Sequence, residues 1–132
     1  MKTQTMAGGT GVTTILIADD DPEWAELLGD FLRNSGFDVQ TAHSARQGLD
    51  ILDGHPSVRA VISDVRMPEI DGLDFYRVVK HRFPAMLVIL ATGFSINKFD
   101  VVPHGVTILR KPLDFDELIR LLPAPVGSAP AE

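Results

Sequence analysis

Five short apolar runs alternate with amphipathic stretches between residues 14 and 122, with few residues separating each from the next. Thr14–Ala18 (TILIA) is continuously apolar and ends in acids, the pattern of a buried parallel strand. Asp21 then offers a helix N-cap with Pro22 at the first helical position. Ala25, Leu28, Phe31 and Leu32 follow at helical spacing, and Gly36 stops the helix. Phe37–Ala42 reads as a second strand, Ser44–Leu52 as a second helix and Ala60–Ser63 as a third strand. Gly72–Arg82 places Leu73, Tyr76 and Val79 on one helical face, and Pro84 ends it. Met86–Ala91 is the fourth and most apolar strand, and Thr107–Arg110 a short fifth. The last helix opens on the capping box Asp114-x-x-Glu117 and buries Phe115, Leu118 and Leu122. From Thr92 to Gly105 the pattern thins. Ser95–Val102 has room for one or two turns, so a short or irregular helix 4 is expected there.

Strand–helix alternation with short connections implies a parallel sheet covered by helices on both faces and connected right-handedly. Five such units point to an α/β, flavodoxin-like, doubly wound sheet of order 2-1-3-4-5. In that order the first and third strands are neighbours at the switch point, where open sheets bind ligands beyond their carboxyl ends. With 132 residues the chain holds one ordinary domain, expected over residues 14–122. Residues 1–13, rich in Gly and Thr, and residues 123–132 (PAPVGSAPAE) are expected to be unpacked tails.

The remaining composition narrows the class of partner. There is no cysteine, which suits a reducing cytoplasm and removes thiolate metal sites. Met1–Thr14 makes a poor signal peptide, and apolar runs such as Ala85–Ala91 are too short to span a bilayer, so no membrane association is expected. Net charge is −6 with no Lys/Arg cluster, so the expected partner is a protein or a cation, with no nucleic acid.

The switch point should collect polar residues, and it does. Asp19 and Asp20 end the first strand, Asp64 the third, Thr92 the fourth and Lys111 the fifth. Three crowded carboxylates repel, and ionising all of them calls for a nearby cation. Mg²⁺ suits oxygen ligands, keeps waters and bridges to phosphate oxygens. A carboxylate attacking phosphorus gives an aspartyl phosphate, while the metal and a lysine neutralise the transferring oxygens.

The runs ILIADDDP, VISDVRMPEIDG, VILATG and LRKP resemble the receiver domains of two-component response regulators, in family order across roughly residues 13–122. The resemblance implies that Asp64 is the phosphoacceptor and Asp20 the metal-binding acid, with Asp19 positioning a metal water. It places Arg66 where a backbone carbonyl completes the Mg²⁺ shell, Thr92 as the switch hydroxyl, and Lys111 as the partner of the phosphoacceptor and then of the phosphoryl group. Pro112 follows Lys111 through a bond that is cis across the family, and Met67, Pro68 and Gly72 match the loop after the phosphoacceptor. The implied activity is that of a phosphoacceptor switch, not an enzyme acting on an outside substrate. Its phosphodonor would be a histidine kinase or a histidine phosphotransfer protein, and its output a protein contact or a phosphorelay step. No output domain follows in this sequence, so a single-domain regulator is expected.

Blander readings stand beside these. An Asp after a strand is usually a helix cap, as Asp21 is read here; Thr92 alone could be a loop hydroxyl and Lys111 a surface lysine. His43, His55, His81 and His104 lack ligand spacing, and Gly8–Gly11 precedes the first strand instead of following it, which argues against a phosphate loop. Trp24 reads as a core or interface residue. A phosphohydrolase of the haloacid dehalogenase type would use Asp19-x-Asp21, Thr92 and Lys111, but it leaves Asp64 without a role. A degenerate receiver acting as a phosphorylation-independent binding module is the other rival. Ile108 stands where an aromatic is usual, and the Thr92–Lys111 segment is a few residues short.

Overall fold

Alternate residues of the buried strands feed two separate cores. In the strand β1 (Thr14–Ala18), Ile15 and Ile17 face one side and Leu16 and Ala18 the other, as the two-residue pleat requires. The structure, a computed structural model, describes residues 11–93 and 106–125. After β1 come α1 (Pro22–Asn34), β2 (Asp38–Ala42), α2 (Ala45–Gly54), β3 (Val58–Asp64), α3 (Gly72–Arg82), β4 (Leu87–Thr92), β5 (Thr107–Arg110) and α4 (Phe115–Leu121). All strands pair in parallel in the order β2-β1-β3-β4-β5, the flavodoxin-like order that the alternation implies. The short helix expected over Ser95–Val102 lies outside the described residues.

One core joins Leu16, Val61 and Leu90 of the sheet to Leu52 of α2 and to Phe75 and Val79 of α3. The other joins Ile15, Ile17, Ile62 and Ile89 to Leu28 and Leu32 of α1 and Leu118 of α4. Phe75 is fully buried, and Gly48 of α2 makes room for it, since a Cβ there would meet its Cζ at 3.0 Å. Burying such a ring contributes on the order of 2–3 kcal/mol. Arg82 of α3 pairs with Asp53 of α2 at the surface.

Helix ends account for most boundary differences. Asp21 caps α1 by accepting from the Glu23 and Trp24 amides, and Pro22 follows at the first helical position, as read from sequence. At the other end Gly36 takes φ 101° and its amide bonds the Arg33 carbonyl, while the Phe37 amide bonds the Leu32 carbonyl. Phe37 is thereby drawn into the helix cap, and β2 starts one residue later than expected. Ser44, expected inside the second helix, is its N-cap and accepts from the Gln47 amide, while Gln47 Oε1 accepts from the His43 amide. Met86 donates its amide to the Phe83 carbonyl, so β4 runs from Leu87 to Thr92.

The parts of the expected tails that are described pack on one another. The Thr13 amide donates to the Pro125 carbonyl at 2.7 Å, and the Thr13 hydroxyl to the Ala124 carbonyl at 2.6 Å. Thr13 is buried, and Pro125 rests against Gly36. Ordered contacts therefore pass the expected boundaries at 14 and 122, because Thr13 is buried just before β1 and its polar groups need partners.

Candidate functional site

Register brings the strand-end residues together. Ala18 pairs with Ser63 and Asp64 with Ala91, so Asp19, Asp64 and Thr92 follow one another across neighbouring strands at one edge. Carboxylate oxygens of Asp19, Asp20 and Asp64 lie within 4.8 Å of one another. The Lys111 ammonium joins them from the end of β5, 2.9 Å from Asp19 Oδ2 and 3.8 Å from Asp64 Oδ1. Asp19 is buried, Asp64 partly so, and Asp20 is exposed. Thr92 is buried, and its carbonyl accepts from the Lys111 amide at 2.8 Å. The Arg66 amide approaches Asp64 Oδ1 at 3.4 Å, and the bond from Lys111 to Pro112 is cis.

Local chemistry holds each member. Asp19 Oδ1 accepts from the Asp21 amide at 2.9 Å, which tethers the carboxylate to the start of α1. Asp64 ends a strand paired on both sides, and the loop behind it closes through the Gly72 amide, which donates to the Val65 carbonyl at 2.7 Å. Burial, and then the negative charge of Asp19, push the Asp64 carboxyl above the usual carboxylate range. The Lys111 ammonium and the Arg66 and Val65 amides pull in the opposite direction and are outweighed.

One ammonium set against three carboxylates leaves negative charge to spare, and the cluster offers oxygen ligands only. Such a donor set fits Mg²⁺ better than zinc or copper. Two features of the site go beyond the sequence pattern. The closest carboxylate to Lys111 is that of Asp19, not Asp64, and the Trp24 ring lies 5.4 Å from the Lys111 ammonium, measured to its centroid. Trp24 follows Asp21 by three residues, so the N-cap itself was the available signal that it lies at this edge. Asp64, which the dehalogenase-type reading leaves idle, sits inside the acidic cluster.

Among the described residues no helix is long and apolar enough to cross a membrane. Residues 15–122 match the family model of the response regulator receiver domain. The chain is 38% identical over 121 residues to the transcriptional regulatory protein GlrR of Escherichia coli, covering 89% of this chain and 27% of GlrR. It is 33% identical over 108 residues to the transcriptional regulatory protein CpxR of the same organism, covering 80% of this chain and 45% of CpxR. It thus spans about a quarter and under half of these relatives. Their names remove the support for the expectation, drawn from net charge, that nucleic acid is no partner. A response regulator receiver domain structure from Clostridium thermocellum is similar at TM-score 0.74 and 32% identity, covering 81% of this chain and 88% of that one. The response regulator TrrA of Thermotoga maritima, solved in complex with Mg²⁺ and beryllofluoride, is similar at TM-score 0.73 and 29% identity, covering 82% of this chain and 94% of that one. Fold, family model and relatives agree, and the chain belongs to the response regulator receiver domain family.

Proposed function

We propose that this domain accepts a phosphoryl group on Asp64 from a histidine kinase or histidine phosphotransfer protein in the cytoplasm. The phosphorylated domain then acts by protein contact, on a downstream target or as a relay intermediate. The observation that carries the reading is the meeting of Asp19, Asp20 and Asp64 within 4.8 Å, with the Lys111 ammonium 2.9 and 3.8 Å from two of them.

An Asp64 carboxylate oxygen attacks phosphorus, a P–O bond forms, the P–N bond to the donor imidazole breaks, and the imidazole leaves with its electron pair. Asp19, Asp20, Asp64 and the Arg66 backbone carbonyl would hold Mg²⁺, which neutralises charge on the phosphoryl oxygens when bound. Lys111 would move its ammonium from Asp19 and Asp64 to a phosphoryl oxygen, and the Thr92 hydroxyl would donate to another. Burial and the charge of Asp19 raise the Asp64 carboxyl above the usual carboxylate range, so a cation at the cluster would favour its ionised, nucleophilic form.

Incubation with a small-molecule phosphodonor should add one phosphoryl mass when Mg²⁺ is present and none when it is chelated. Peptide mapping should place the mass on residue 64. A single phosphoryl group elsewhere, or labelling that ignores chelation, would refute the assignment.

A further inference from the structure

We propose that Trp24 is a positioning residue for Lys111, its indole face holding the ammonium over the acidic site. The inference rests on the functional reading above in giving Lys111 a role in phosphoryl transfer. The Lys111 ammonium lies 5.4 Å from the Trp24 ring centroid, inside the range in which the ring quadrupole attracts a cation. The same ammonium is 2.9 Å from Asp19 Oδ2 and 3.8 Å from Asp64 Oδ1. The lysine side chain retains 24% exposure, so the contact with the ring is only partly screened by water.

The position of the ring is built in. Asp21 Oδ1 accepts from the Trp24 amide at 3.2 Å, and the Asp21 amide donates to Asp19 Oδ1 at 2.9 Å. One helix cap therefore places both the carboxylate and the ring that flank the ammonium. The ring also packs on the core formed by α1, α4 and the sheet, which limits its freedom. A residue that only filled this core would need to be apolar. A residue that positions the lysine must be aromatic as well.

This difference makes the proposal testable. Trp24→Leu should slow phosphorylation of Asp64 by a small-molecule donor about five-fold, the size expected of a partly exposed cation–π contact. Trp24→Phe should recover most of the rate, while both variants keep a cooperative melt. Trp24 is the sole tryptophan, so its emission reports this ring alone. Lys111→Met should change that emission, as should beryllofluoride with Mg²⁺ as the ammonium shifts toward the acyl-phosphate mimic.

If Trp24→Leu reacts as fast as the unmodified protein while Lys111→Met is slow, the positioning role is overturned and the functional reading stands. If the unmodified protein is not phosphorylated on Asp64, the functional reading fails by itself, and emission then decides the contact. A spectrum unchanged by Lys111→Met overturns it; a changed one supports it.

Discussion

Asp64→Asn should lose all phosphoryl labelling and yet, in metal-free buffer at neutral pH, melt at a higher temperature than the unmodified protein. The two effects share a cause. Burial and the charge of Asp19 raise the Asp64 carboxyl, so the folded state binds that proton more tightly than the unfolded chain does. Stability linked to this group is present at low pH and is lost as pH rises from the ordinary carboxylate value through the raised one. Above that window the ionised carboxylate is a fixed cost to the fold, which a neutral amide of similar shape avoids. The variant gives up its attraction to Lys111 and the Arg66 and Val65 amides, but burial and Asp19 outweigh these. The stability gap should open with rising pH in melts between pH 4 and 8, then level off. Mg²⁺ should close or invert it. At one hundred times its dissociation constant a ligand of the folded state adds about 2.7 kcal/mol, and the variant has one carboxylate fewer to hold it. A variant that melts lower than the unmodified protein without metal at pH 7 would contradict this account.

The backbone pattern explains why the meeting of these strand-end residues is legible in the sequence. Asp19, Asp20, Asp64 and Lys111 each lie at or just after the end of a strand whose apolar run is legible, and a parallel sheet sends all such ends to one edge. What escaped depends on side-chain geometry between distant segments. Lys111 and Asp19 are 92 positions apart, and nothing in the local pattern says which carboxylate the ammonium approaches more closely. Trp24 reads as a core or interface residue because periodicity records which face a ring occupies, not which cation comes to rest beside it. Phe37 looked like strand because it is apolar, yet its amide completes the cap of α1. The pairing of Thr13 with Ala124 and Pro125 joins residues from opposite ends of the chain, beyond the reach of composition.

Gly72→Ala is expected to be the most damaging small substitution in the fold. A Cβ at Gly72 would stand 2.2 Å from the Asp64 carbonyl oxygen and 2.7 Å from Val65 Cα, well inside contact distance. Both neighbours are backbone, so no side chain can rotate away. Asp64 cannot retreat either, because β3 pairs with β1 on one side and β4 on the other. The helix cannot easily lift, since Phe75 and Val79 pin it into the core with no exposed surface. Overpacking typically costs 1–3 kcal/mol, and a clash between two fixed backbones belongs at about 3 kcal/mol or above. For a domain of this size that lowers the melting temperature by roughly 10 °C. Because the clash falls on the peptide groups following the Asp64 side chain, phosphorylation should slow as well. Two other glycines calibrate the result. Gly48→Ala meets side chains and no backbone, the Phe75 ring at 3.0 Å and Leu16 Cδ2 at 3.6 Å, and should cost less. Gly54→Ala meets nothing within 4 Å and should be neutral or stabilise by about 0.5 kcal/mol, through loss of unfolded-state entropy. If Gly72→Ala melts within a degree or two of Gly54→Ala, then α3 can move away from β3 at little cost. The tight turn that places Asp64 would then be no constraint on the site.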